Sequence, residues 1–244
     1  MPDHENPKRR VVLAAAASSA VLSAVVAPSV AQPAKEKPVM AMTAFEARAE
    51  LAPLPFDPAK LNGLSEKLLR SHWENNYGGS VKALAVVKQR LSQAQADKDL
   101  PPYIYNDLKR EHLLRTGSVV FHELYFGNLG GSGQAGAAER QALAASFGSA
   151  DAWEAEFRRI AAGLGGGSGW VVLGFNTHLR QLENYWLADH AHGPAATHPI
   201  LVMDMYEHAY QMDFGAAAAR YIDAFFRNVQ WDAVAQRLEA ARRA

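Results

Sequence analysis

The chain has 244 residues with 25 basic and 25 acidic side chains, so its formal charge is zero when the histidines are neutral. It is 49% hydrophobic and 20% charged, the balance of an ordinary folded chain, and the lack of a basic surplus argues against a general nucleic-acid binder. There is no cysteine, which excludes disulfides, thiolate metal sites and cysteine nucleophiles; any metal must be held by nitrogen and oxygen donors.

Residues 1–31 read as an export signal. Arg9 and Arg10 stand before VVLAAAASSAVLSAVVAPSVA, and the small-x-small end Ser29-Val30-Ala31 suits cleavage. Paired arginines ahead of a weakly hydrophobic segment form a twin-arginine pattern. A retained membrane anchor is the competing reading, against which the segment's length and alanine content count. The mature protein is then expected to begin near Gln32 and to work outside the cytoplasm, in the periplasm, touching no membrane once the signal is gone. Residues 32–50 mix Pro, Lys, Glu and Ala without an apolar period and read as a flexible lead-in.

Residues 51–131 carry the pattern of a helical hairpin. The prolines of LAPLPFD impose an extended start. Ser65 and Glu66 then open a helix along which Leu68, Leu69, His72, Tyr77, Val81, Leu84 and Val87 fall at helical spacing. Gly78-Gly79 interrupts it and predicts a kink or a close packing. After the turn KDLPPYIY a second helix runs from about Asn106 to Gly127, ending in GNLGGSGQAG, the candidate internal boundary. Two antiparallel helices make this half.

Residues 132–244 mix both kinds of structure. AAERQALAASF and ADAWEAEFRRIAAGL are helices, the second capped by Ser149 or Asp151. GWVVLGFN, HLRQLENYWLAD and HPILVMD read as three strands, the last apolar enough to be buried. GAAAARYIDAFFRNV and DAVAQRLEAARRA supply closing helices. The class is α+β, an N-terminal antiparallel helical hairpin followed by a mixed domain with a three-stranded antiparallel sheet.

The chemistry lies in the histidines. His72 and His122 sit in apolar stretches, one on each hairpin helix, and facing helices can share a metal in a bundle core. VMDMYEHAY sets Asp204, Glu207 and His208 within a hydrophobic run, where charged groups need partners. Three neutral imidazoles and one carboxylate leave an ion positively charged with room for a fifth ligand, a set that suits Fe, Mn or Zn better than Ca or Mg. The alternative is an Asp204–His208 pair on one helix face, without a metal.

Taken in order, LAPLPFD, FHELYF, ASFGSADAWEAEF, GSGWVVLGF, DMYEHAY and NVQWDAVAQRL resemble the iron/manganese superoxide dismutase family from about Leu51 to Leu238. DMYEHAY is the most specific, being similar to the family signature D-x-W-E-H-A-[YF]. The resemblance implies superoxide as substrate, one Fe or Mn ion per subunit, and a homodimer or dimer of dimers. It assigns the metal ligands to His72, His122, Asp204 and His208, with Asp204 at the end of the third strand and His208 at the start of the next helix. Glu207 is implied to reach across the dimer interface to the partner subunit's His208.

The donor to the ion-bound solvent is implied to be His190, with His192 as fallback, because Ser118 is too short where other members carry glutamine. Trp170, Tyr206 and Tyr125 fall at aromatic positions around the pocket, Tyr206 in place of a tryptophan. The chain departs from the family at Asn76 and Ser80, where a histidine and a tyrosine usually gate the substrate. Tyr77 can stand in for that tyrosine only if the glycine interruption turns it inward. These departures motivate an alternative reading, an exported metal-binding protein of weak or no catalytic activity on the same scaffold.

Overall fold

A computed structural model describes residues 43–47 and 50–244. The export signal and nearly all of the lead-in lie outside the described residues.

Helix α1, Glu66–Ser71, begins where the Ser65 hydroxyl accepts the Leu68 N–H. It leads into a π-helical turn, His72–Tyr77, and then into α2, Gly78–Ala96. The interruption expected at Gly78-Gly79 is thus a change of helix type ending at Gly78, whose N–H reaches back five residues to the Trp73 carbonyl. Gly78 lies against Leu51, where a Cβ would sit 3.0 Å from Leu51 Cδ2. Helix α3, Pro102–Phe126, starts earlier than the sequence suggests. Proline lacks the N–H that a first helical turn leaves unpaired anyway, so Pro102 opens the helix instead of belonging to the turn before it. The two helices run antiparallel: Tyr105 donates to Gln95 at one end, and the Ser80 and Ser118 hydroxyls meet at the other.

The glycine-rich run after α3 is held by backbone bonds rather than left free. Gly131 N–H donates to the Asn228 carbonyl, Gly133 N–H to that of Val229, and Gln230 N–H to that of Asn128. A Cβ on Gly131 would lie 2.3 Å from the Val229 carbonyl oxygen, so only glycine permits this approach.

Helix α4, Ala137–Phe147, and α5, Ala150–Leu164, follow, with Ser149 accepting the Ala152 N–H as the cap of the second. In α5 Trp153, Phe157, Ala161 and Leu164 repeat at three- and four-residue spacing and are all buried. Strands β1, Trp170–Asn176, β2, Gln181–Leu187, and β3, Thr197–Asp204, form one antiparallel sheet in the order β2-β1-β3. β1 is central and buried along nearly all of its length, while β2 alternates more openly at an edge. Helix α3 and the C-terminal helix Trp231–Arg243 pack on β3, and α5 packs on β1 and β2. A bulge between Leu173 and Gly174 shifts the β1–β3 register, beyond which Trp170 lies directly opposite Asp204. A one-turn 3-10 helix, Glu207–Ala209, and α6, Gln211–Phe214, lead to α7, Ala218–Phe226, and α8, Trp231–Arg243. Among the described residues no helix is long and apolar enough to cross a membrane.

Candidate metal centre

His72 opens the π-helical turn, His122 lies in the last turns of α3, Asp204 ends β3, and His208 sits in the 3-10 helix that follows. The pairing of Asp204 and His208 on one helix face is therefore overturned, since Asp204 belongs to a strand and the chain turns between them. His208 belongs to that isolated turn, one residue short of α6.

These four segments bring one donor atom each to within 4.8 Å of all the others. Nε2 of His72, His208 and His122 lies 3.1, 3.2 and 3.6 Å from the same oxygen, Asp204 Oδ2. His122 donates Nδ1–H to the Ser118 carbonyl at 2.6 Å, so its Nε2 presents a lone pair. That Nε2 and both nitrogens of His72 are buried without a hydrogen-bond partner among the described residues. A lone pair aimed at a carboxylate oxygen in a dry site costs about 1–3 kcal/mol, and a cation held between the two removes that cost. The residues present therefore fit a metal ion bound by three nitrogens and one oxygen.

Burial pushes the His72 imidazole below its usual range, and burial together with neighbouring His72 pushes His122 down to about 3. Burial alone would raise the Asp204 carboxyl, but the charges and hydrogen bonds of His208 and His72 outweigh it and hold the group well below the carboxylate range. At neutral pH the site thus offers His72 and His122 as neutral imidazoles beside an ionised acid, the forms a metal requires. The same shifts set the acid response. An unfolded chain takes up protons on these imidazoles below about pH 6.5, whereas the folded His122 does so only near 3. This contribution to stability is complete above the ordinary histidine value and drains away as pH falls toward the lower one. Metal-free protein should accordingly lose urea resistance steadily from about pH 7 to about pH 4; a flat stability profile over that interval would contradict the assignment.

Around the four donors stands an aromatic wall. His72 packs against Tyr125 and Phe126, with ring centres 5.2 and 5.0 Å away. Trp170 lies 5.2 Å from His122, and Tyr206 stacks on both His190 and His208. His190, in the β2–β3 connection, receives the Trp170 indole N–H on Nδ1 at 3.0 Å, and its ring is 5.9 Å from that of His122. His192 turns elsewhere, accepting the Ala188 N–H beside exposed Trp186. Tyr221 was not foreseen: its hydroxyl donates to the Asp204 carbonyl at 2.7 Å and lies 3.2 Å from that of Tyr125. No motif marks it, because it looks like any tyrosine of an apolar helix.

The π-helical turn supplies the rotation that Tyr77 needs, and its ring is buried 6.3 Å from that of His122. Its hydroxyl donates to Glu123 at 2.8 Å and accepts the Ala52 N–H at 2.8 Å. Asn76 is half-buried on the same turn. Ser80 and Ser118 are both buried and bonded to each other. Glu207 is exposed, and its carboxylate has no hydrogen bond or ion pair among the described residues.

A family profile described as iron/manganese superoxide dismutases, C-terminal domain, matches residues 135–237. The superoxide dismutase [Fe] of Cupriavidus metallidurans is 47% identical over 194 residues, covering 80% of this chain and 98% of that protein. The superoxide dismutase [Fe] of Aquifex aeolicus is 34% identical, covering 77% and 90%. The superoxide dismutase [Mn] 2 of Haloferax volcanii is 32% identical, covering 79% and 96%. Likeness that spans nearly the full length of iron and manganese relatives alike, together with the matched helices, sheet and donor cluster, leaves one assignment: the chain belongs to the iron/manganese superoxide dismutase family.

Proposed function

We propose that this protein is a superoxide dismutase that holds one iron or manganese ion between His72, His122, Asp204 and His208. The observation that carries the reading is the convergence of three imidazole nitrogens on one carboxylate oxygen, with two of those nitrogens buried and unpartnered. When bound, the ion supplies a one-electron redox couple between two superoxide anions. Two anions and two protons become one dioxygen and one hydrogen peroxide, so the protein's own task is to hold the donors, keep water out and deliver protons.

His190 is the proposed proton donor at the open side of the site. An indole N–H can only donate, so Nδ1 of His190 must accept, and the proton of the neutral ring resides on Nε2. Burial lowers the His190 pKa and favours that neutral form. Tyr206, stacked at 4.6 Å, and Trp170 hold the ring in place. Asn76 is assigned to the substrate approach. Tyr77 is assigned to the wall, with Glu123, an exposed acid, linking its hydroxyl to solvent.

The exposed carboxylate of Glu207 beside His208, unpaired among the described residues, supports a dimer in which it holds the partner subunit's His208. The Arg9-Arg10 segment with its small-residue end supports export to the periplasm. Cell fractionation with N-terminal sequencing of the mature protein tests the second point.

The decisive experiment is elemental analysis of natively purified protein, with dismutation assayed on iron- and manganese-loaded samples. Close to one ion per chain and activity well above that of free ions are expected. Bound metal with background activity would select the inactive metal-binding alternative, and protein that takes up no metal would end both readings.

A further inference from the structure

Two departures from the family pattern, Ser80 and Ser118, lie on different helices yet touch. Their hydroxyls are 2.7 Å apart, and both residues are buried, at 7% and 1% exposure. A serine inside a helix ordinarily turns its hydroxyl back to its own preceding turn; here each hydroxyl reaches across the α2–α3 crossing instead. Ser118 also lies one turn before His122 and contributes twice to it. Its carbonyl accepts Nδ1–H at 2.6 Å, and its hydroxyl stands 3.3 Å from the same nitrogen. Because Nδ1 carries the proton, Ser118 Oγ faces it as an acceptor, leaving the Ser118 proton free to bond Ser80.

We propose that the Ser80–Ser118 hydroxyl pair is a positioning device that sets the electron-donating strength of His122 toward the metal ion. The inference rests on the ligand assignment above and goes beyond it. An imidazole whose remote N–H is held by good acceptors is the more basic ligand at its other nitrogen, and a more basic ligand favours the oxidised ion. Ser80 polarises the Ser118 hydroxyl and keeps its lone pair on Nδ1–H; removing either serine weakens that hold.

The test is a mediated redox titration of iron-loaded protein for Ser118→Ala, Ser80→Ala, the double variant and Ser118→Thr. Ser118→Ala should raise the midpoint potential by about 59 mV, a tenfold shift of a one-electron equilibrium. Ser80→Ala should move it the same way by less. The double variant should match Ser118→Ala, since Ser80 acts through Ser118, and Ser118→Thr, which keeps the hydroxyl, should restore the parent value.

A purely packing role would lower unfolding midpoints and leave every potential in place; that result, or additive shifts in the double variant, overturns the inference. A second reading is taken on metal-free protein, where the His122 Nδ1–H nuclear magnetic resonance should move in both alanine variants, and an unmoved resonance would also overturn it. Failure of the ligand assignment has a different signature, unmodified protein that binds no iron.

Discussion

Asp204→Asn should empty the metal centre and leave the fold standing. The carboxylate is fully buried, and Oδ2 is the point on which all three imidazoles converge. Asparagine keeps the volume and an oxygen for the Tyr206 N–H that Asp204 Oδ1 accepts at 2.8 Å. The Tyr221 hydroxyl bonds the backbone carbonyl, which the substitution leaves alone. What disappears is the negative charge that offsets the ion. Replacing a group that merely orients a ligand costs about 10–100-fold in metal affinity, so loss of a ligand should reach at least the upper end of that range. Metal content should fall toward zero and dismutation to background, while the circular dichroism spectrum and a cooperative unfolding transition persist. A variant that retained a full ion per chain would remove Asp204 from the ligand set.

Gly117→Ala should damage the reaction from outside the metal's own ligands. A Cβ at this position would lie 1.7 Å from the His190 carbonyl oxygen and 2.9 Å from its carbonyl carbon. Both are backbone atoms, so no side-chain rotation can relieve the overlap, and α3 or the β2–β3 connection must move. Overpacking of this kind costs about 1–3 kcal/mol of stability. Displacing His190 by about an ångström should lower the rate roughly a hundredfold, with metal content preserved when the β2–β3 connection, which carries none of the four donors, is the part that moves. The check is kinetic: if His190 is the route, adding His190→Ala to Gly117→Ala should cost little beyond His190→Ala alone. Full activity in Gly117→Ala would mean either that the connection accommodates the methyl or that His190 has no part in the reaction.

Much of the architecture was legible in local chemistry. Ser65 caps the helix it was expected to open, Ser149 is the one of the two candidates that caps α5, and the spacing of Trp153, Phe157 and Leu164 marks that helix's buried face. β1 was legible from a β-branched and aromatic run entered from glycines, β2 from its alternation and β3 from its short apolar run. The metal centre was legible in part. Residue types and apolar settings pointed to His72, His122, Asp204 and His208, but their convergence depends on four separated segments, and only the likeness to a family joined them.

Elsewhere the sequence was silent. HWENNY has no local feature that marks a π-helical turn, so the orientation of Tyr77 stayed open; the structure turns it inward yet occupies its hydroxyl with Glu123 and Ala52. The Ser80–Ser118 contact depends on how two helices cross, and the clearance at Gly117 on how a distant connection packs. Neither leaves a periodic trace.

The spread of the donors along the chain has its own consequence. His72 and His122 belong to the helical hairpin, whereas Asp204 and His208 belong to the sheet's exit. An ion gripping all four is a removable cross-link that ties the chain into large rings. Ordering such rings costs an unfolded chain little more than ordering small ones, because the entropy of closure grows only with the logarithm of length. The benefit is collective, since opening α3 and opening β3 then both require the ion to be released. Metal occupancy is in this sense a property of the whole fold: it turns a seam held by apolar packing into one that separates only as a unit.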